Sequence, residues 1–261
     1  MPYSPLTSEI DEVLLAELEA KVEHIIENYI HESWIETFEK SKAELVWALY
    51  KVREYRLAHP NARIFPLHES EWFTAFKNTA LDAVIMVILG QDPYPGCDKD
   101  GEPFACGMAF SAHDGQGAPV SLENIYKRLR ELHYTVSSAD GYLGGWAAQG
   151  ILLLNTSLTV EENKPASMMA PKNDVWTPFI SNILQAIYSQ DKSIQFLLWG
   201  RESQKYMAMS GLKCVGLEWG HPSRWENFRG CEHFTIVNQN FKEAKKKQID
   251  WGKTRIVEEE E

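Results

Sequence analysis

Val84-Ile-Met-Val-Ile-Leu-Gly-Gln-Asp-Pro-Tyr94 decides how the rest of the chain is read. Residues 84–89 are all apolar and run straight into a turn-forming cluster: Gly90, Gln91, Asp92, Pro93, Tyr94, Pro95 and Gly96. A continuous apolar run of that length, bounded by turn residues, reads as a strand buried on both faces, as in parallel sheets. In open α/β sheets ligands bind just past the carboxyl ends of such strands. The prolines on either side of Tyr94 stiffen the backbone there, so Asp92 is a candidate for chemistry rather than for solubility.

Three more short apolar runs follow at 151–154 (Ile-Leu-Leu-Leu), 194–199 (Ile-Gln-Phe-Leu-Leu-Trp) and 214–217 (Cys-Val-Gly-Leu). Helix-like segments lie near 121–133, 140–149, 176–189 and 201–210, with a last one over 232–246. Strands alternating with helices predict a parallel sheet covered on both faces. Ahead of the first strand, Ile10, Val13, Leu14, Leu18, Val22, Ile25, Ile26 and Tyr29 have helical spacing, so a helix is expected over 8–31 with Thr7 or Ser8 as its cap. A second helix is expected over 36–58. No repeat, low-complexity linker or break in composition divides the chain, which favours one domain.

With 261 residues, 44% apolar and 24% charged, the chain can bury a sizeable core without disulfides. Its four cysteines (Cys97, Cys106, Cys214, Cys231) form no Cys-x-x-Cys pair, and their spacing matches no compact iron–sulfur motif. A reduced intracellular compartment is expected. No apolar run approaches the length of a membrane span, and Met1-Pro-Tyr-Ser-Pro-Leu has no signal-like pattern. The reading is therefore of a cytoplasmic protein, nuclear if the source is eukaryotic, with no membrane partner.

Twenty-six basic against 37 acidic residues give a formal charge of −11, which by itself argues against nucleic acid as a partner. The charge is uneven, however. Glu9, Asp11, Glu12, Glu17 and Glu19 load the N-terminus and residues 258–261 are all glutamate, whereas Lys242, Lys245, Lys246, Lys247, Lys253 and Arg255 cluster just before that tail. Binding answers to the local field, and main-chain N–H groups and hydroxyls can hold phosphates with few lysines.

The residues after each run are informative. Asp92 follows the first and Asn155-Thr156-Ser157 the second; Trp199-Gly200 ends the third; Glu218-Trp219-Gly220-His221-Pro222-Ser223 follows the fourth. In a parallel sheet Asp92, Asn155 and His221 then meet at one edge. Taken singly, an Asp after a strand is most often an Asx-turn or cap, the Asn a turn residue and the His a loop residue. Their convergence is what points to an active site.

Gly90-Gln-Asp-Pro-Tyr94, Leu152-Leu-Leu-Asn155 and His221-Pro-Ser223 resemble the signature motifs of family 1 uracil-DNA glycosylases. Gly107-Met-Ala-Phe-Ser111, Pro119-Val-Ser-Leu-Glu-Asn-Ile-Tyr126, Gly141-Tyr-Leu143, Leu197-Leu-Trp-Gly200, Gly230-Cys-Glu-His-Phe234 and Ile249-Asp-Trp251 fill the gaps in the family's order. The resemblance covers roughly residues 33–251. It implies a three-layer α/β/α sandwich around a central, mostly parallel four-stranded sheet, with an N-terminal helical extension (1–32) and an acidic tail (252–261) outside the shared domain.

The implied activity is hydrolysis of the uracil–deoxyribose bond in DNA after the nucleotide has been flipped from the stack. Asp92 would orient the attacking water and face the sugar cation; His221, neutral, would donate a hydrogen bond to the uracil O2. Asn155 would read the uracil edge, Tyr94 would exclude a C5 methyl, Phe110 would stack on the ring, and the main chain near Gln91 would complete the pocket. Pro119, Ser121 and Ser223 would grip DNA. No metal or cofactor is implied. The implied partners are uracil-containing single- and double-stranded DNA and a proteinaceous inhibitor of such enzymes, with the protein itself a monomer.

Two departures stand out. Pro95 occupies the position where the family usually has His. The leucine that the family places as a wedge after His-Pro-Ser is missing, because here the run is His221-Pro-Ser-Arg-Trp-Glu226. Arg224 or Trp225 is the candidate to fill the vacated base position, since both can stack on bases. The alternative reading keeps the fold without the chemistry: a glycosylase-like DNA-binding or replication subunit of low activity.

Overall fold

The computed structural model describes residues 10–169 and 173–256. Its first helix, α1 (Glu12–Asn28), starts where the Asp11 carboxylate accepts the N–H groups of Val13 and Leu14. Asp11 is thus the cap; Thr7 and Ser8 lie outside the described residues. The expected second helix is two, α2 (Ile35–Lys40) and α3 (Lys42–Ala58), broken at Ser41, whose backbone leaves the helical region (φ −108°, ψ 16°). The Ser41 N–H is shared between the Thr37 and Phe38 carbonyls and closes the first of the two helices, a local effect that apolar periodicity does not register. The buried stripe of α1, Leu18, Val22, Ile25 and Ile26, packs against α3 and is continuous with the main core.

β1 (Ile64–Phe65) is followed by α4 (Thr74–Asn78) and then by β2 (Met86–Gly90), the opening strand of the central sheet. α5 (Val120–Glu131) and α6 (Gly144–Ala147) lead to β3 (Ile151–Asn155) and the two-residue β4 (Val160–Glu161). α7 (Thr177–Gln190), β5 (Gln195–Trp199), α8 (Arg201–Ser210), β6 (Val215–Trp219), α9 (Trp225–Phe228) and α10 (His233–Glu243) complete the chain. β1 and β4 form a small antiparallel pair, too short to leave a period in the sequence.

The central sheet has the order β3-β2-β5-β6, and all three of its pairings are parallel. Every residue of β2, β3 and β5 is buried, as the unbroken apolar runs require. Parallel connections cross over right-handed. The chain moves one way from β2 to β3 and the other way from β3 to β5 and β6. α5 and α6 therefore cover one face, and α7 and α8 the other. α2 and α3 pack on α7, and α10 joins the face of α6 through Trp251. Among the described residues no helix is long and apolar enough to cross a membrane.

Trp251 closes the fold. It is fully buried, with its ring edge-on to Trp146 (5.1 Å) and Phe234 (5.0 Å). Its indole N–H donates to the Phe234 carbonyl and its own carbonyl accepts from the Trp146 indole. Trp251→Ala leaves a cavity and takes the indole donor from the Phe234 carbonyl, while the Trp146 indole keeps its main-chain acceptor, so chemical denaturation should show a loss of about 3–5 kcal/mol.

Candidate active site

Four strand ends build the site. Gly90 and Asn155 are register partners at the carboxyl ends of β2 and β3. The two strands stay tied as they leave the sheet: Thr156 N–H donates to Gly90 O, while Ser157 N–H and the Thr156 hydroxyl donate to Gln91 O. A Cβ on Gly90 would lie 2.2 Å from Asn155 Oδ1 and 2.9 Å from the Ala109 Cβ. Glycine is what lets the amide stand over the strand end. Asn155 is 5% exposed, yet its side chain makes no hydrogen bond among the described residues. Buried amides are almost always paired, so this one is held free for something that enters the pocket.

Asp92 stands just beyond. Its Oδ2 accepts the Ala166 N–H at 2.6 Å and its Oδ1 accepts from Gln91 Nε2 at 3.0 Å. Both bonds favour the carboxylate, but burial outweighs them and pushes its pKa up to about 6. Ala166 adopts a left-handed φ of 60°, unusual for a residue with a side chain, in presenting that N–H.

Tyr94 donates its hydroxyl to the Phe110 carbonyl at 3.0 Å. Burial pushes the phenol pKa upward, so the group stays a neutral wall. Phe110 itself has φ 62°, and its ring meets Trp199 edge-on at 5.4 Å and His221 at 5.8 Å. Local strain of this kind persists where the surroundings impose it.

His221 reaches the edge from the loop after β6. Gly200, with φ 104°, leaves room for it: a Cβ there would fall 2.9 Å from His221 Cβ and Cδ2. The Ser223 N–H donates to His221 Nδ1 at 3.0 Å. A backbone amide can only donate, so the ring proton of the neutral imidazole resides on Nε2. Burial lowers the pKa and keeps the ring neutral.

Gln91, Asp92, Tyr94, Phe110, Ser121, Asn155, His221 and Ser223 all line one cavity of about 360 Å³. Ser121 sits in the first turn of α5, where Pro119 is the N-cap and makes no side-chain cap bond. Ser121 and Ser223 are the two serines that line the cavity. Pro119, Arg224 and Trp225 lie outside the cavity. Arg224 is exposed at the N-cap of α9, whereas Trp225 is half-buried with Lys127 Nζ 4.0 Å above its ring.

Sequence reading missed the Pro165-Ala166 segment and Lys127. Ala166 meets Asp92 from 74 positions away and acts through its main chain, so no residue type or spacing could mark it.

Residues 76–242 match the Uracil DNA glycosylase superfamily. A uracil-DNA glycosylase of Coxiella burnetii is 40% identical over 189 residues, 70% of this chain and 79% of its own. One of Pseudomonas putida is 41% identical over 185 residues, 69% of this chain and 76% of its own. The crystal structure of mimivirus uracil-DNA glycosylase superposes with a TM-score of 0.77 over 90% of this chain and 91% of that one, at 22% identity. A mimivirus UNG variant solved in complex with UGI gives 0.76 at 22% identity. The chain belongs to the uracil-DNA glycosylase superfamily, and its α/β fold is that of the structural neighbours.

The buried Asp92 charge opposes folding. Its folded pKa, about 6, lies above its unfolded value near 4, so the penalty is full above pH 6 and absent below about pH 4. Asp92→Asn should therefore raise the thermal midpoint by a few degrees at pH 7.5, a gain that shrinks as pH falls through 6 and is gone below 4.

Proposed function

We infer that this chain is a family 1 uracil-DNA glycosylase, a monofunctional DNA-repair hydrolase that leaves an abasic site and free uracil. The observation that carries the reading is the unspent Asn155 amide, enclosed in one cavity with a carboxylate and a neutral imidazole. An amide can donate to O4 and accept from N3–H of uracil at once. Cytosine reverses both partners and would leave them unpaired in a dry pocket. Tyr94 stands as the wall against a C5 methyl, Phe110 stacks on the flipped ring, and the main chain at Gln91 completes the edge.

Cleavage of the glycosidic bond sends its electron pair to the base and leaves positive charge on the sugar. The Asp92 carboxylate faces that cation and accepts the proton of the attacking water, while His221 Nε2–H bonds the developing uracil O2 anion. Stabilising both charges in preorganised surroundings favours the transition state over the ground state. Ser121, Ser223 and the N-terminal turn of α5 after Pro119 supply phosphate contacts that need no net positive charge.

For the vacated base position the reading selects Arg224. Trp225 is engaged under Lys127, and Arg224 is exposed with no carboxylate partner among the described residues. The mimivirus complex with UGI supports a proteinaceous inhibitor as a second partner of the chain.

Incubation without metal on single- and double-stranded oligonucleotides carrying one uracil should give alkali-labile abasic sites; no product from either form would overturn the reading. Asp92→Asn should lose about 10²–10⁴-fold in rate while still binding DNA. The acid limb of kcat/KM should fall near pH 6, the value to which burial lifts Asp92. Arg224→Ala should cut duplex kcat/KM about tenfold and single-strand kcat/KM less; equal rates on duplex for variant and wild type would remove Arg224 from this role.

A further inference from the structure

Ala166 can hold Asp92 only if the turn that carries it is itself held. That turn runs from Glu161, at the end of β4, to Ser167. Two of its residues, Asn163 (φ 58°) and Ala166 (φ 60°), have left-handed backbone. In residues with side chains such backbone persists only where the surroundings over-determine it. The β1–β4 pair is two residues long and cannot do this alone.

The turn is held by side chains that meet at Glu161. This residue is 7% exposed, and both of its carboxylate oxygens are taken. Oε2 accepts the hydroxyl of Tyr55 on α3 at 2.6 Å, from 106 positions away, and Oε1 accepts Lys164 Nζ at 2.7 Å from within the turn. Burial would raise the pKa of this carboxyl, but the bonds from Lys164 and Tyr55 outweigh it and hold the group below its usual range. Burial and the Glu161 carboxylate push the Tyr55 phenol up to about 12, so it remains a donor. His59 stacks on the Tyr55 ring at 4.2 Å and is the other titratable group that bears on Glu161.

Of the two bonds the one from Tyr55 matters more. The Lys164 side chain is 61% exposed, and an ion pair open to water contributes little. Tyr55 instead ties the turn to a long helix outside the sheet. From Glu161 the tie passes along the main chain: its N–H donates to Ser167 Oγ at 2.7 Å, and the Lys164 N–H donates to its carbonyl at 3.0 Å. On the side facing the cavity, the Asn163 N–H donates to Pro95 O at 2.8 Å and the Ala166 N–H to Asp92 Oδ2 at 2.6 Å.

We propose that Glu161 is a positioning residue for uracil excision: clamped by Tyr55 and Lys164, it holds the turn that aims the Ala166 N–H at Asp92. This role rests on the excision reading. Glu161 does not line the cavity, so it acts through the turn alone.

The signature of the role is a pH profile. Burial raises the Asp92 pKa, and the Ala166 N–H, which bonds the charged form, holds that rise in check. Releasing the turn removes the bond, so the pKa rises further and the acid limb moves to higher pH. Loss of the Glu161 charge acting through space would lower the Asp92 pKa, the opposite direction. The other polar residues lining the cavity add no charge: Gln91, Tyr94, Ser121, Asn155 and Ser223 are uncharged, and burial keeps His221 neutral. The ion pair of Glu162 with Arg63 at 2.9 Å, next in the turn, is untouched by substitution at Glu161.

On an oligonucleotide with one uracil, kcat/KM of Glu161→Ala should show its acid limb about one pH unit above that of the wild type, the effect of one charge-assisted hydrogen bond. The variant should therefore lag about fivefold at pH 6 and approach the wild type at pH 8. Glu161→Gln, which still accepts from Tyr55 and Lys164, should restore most of the profile, and Tyr55→Phe should shift it upward by less. NMR titration of the Asp92 carboxyl carbon, assigned through Asp92→Asn, should give the same order of variants without DNA.

A folded Glu161→Ala whose Asp92 titration stays at the wild-type value overturns the proposal. So does a loss of rate by one factor at every pH, the mark of a merely structural role, or a shift to lower pH. Should Glu161→Ala not fold, Tyr55→Phe decides, and an unmoved Asp92 titration overturns the clamp. Failure of the wild type to release uracil from any oligonucleotide is a different result: it sinks the excision reading and the role in it, while the carboxyl titration still shows whether Glu161 sets Asp92.

Discussion

The parallel register between β2 and β3, which sets Gly90 beside Asn155, is the constraint on which the rest depends. Side chains alternate faces along a strand, so a slip of one residue would turn both strand ends over. Buried on both faces, the two strands have no solvent side to accept such a slip. The same ladder aligns β5 and β6, and the reversal of chain direction between β3 and β5 opens the crevice at the carboxyl edge. Gly90 and Gly200 complete the constraint by leaving space that Asn155 and His221 then occupy.

What the edge gains in chemistry it loses in stability. Asp92 is ionised against its burial, His221 is kept neutral by its burial, and the Asn155 amide goes unbonded. Phe110 and Ala166 hold left-handed backbone beside them. The buried Asp92 charge and the two left-handed residues are local costs of about 1–3 kcal/mol each, sustained by a large core elsewhere. The aromatic network of Trp146, Phe234 and Trp251, which continues through Trp199 to Phe110, is part of that support.

The formal charge of −11 is compatible with a DNA substrate because the charge is partitioned. Many basic residues away from the edge are consumed in ion pairs, such as Lys42 with Glu23, Arg56 with Glu69 and Arg130 with Glu123. Around the carboxyl edge, Arg201 and Arg224 have no carboxylate partner among the described residues, and Lys127 lies over Trp225 rather than over an acid. Guanidinium groups without an acidic partner thus stand beside the site in spite of the negative total.

The sequence by itself determined the strands and the edge. Four short apolar runs marked the parallel sheet: three are strands buried on both faces, and the fourth is the half-exposed edge strand β6. The residues following them marked Asp92, Asn155 and His221. Helix ends, the break at Ser41 and the cap at Asp11 were decided by local bonding that apolar periodicity does not encode, and the β1–β4 pair by a long-range contact too short to leave a period. Tertiary structure alone decided the rest. It brought the Ala166 N–H to Asp92, set the His221 tautomer through Ser223 and drew Trp225 under Lys127. These contacts join main-chain groups or residues distant in sequence, so their geometry exists only after the sheet has formed.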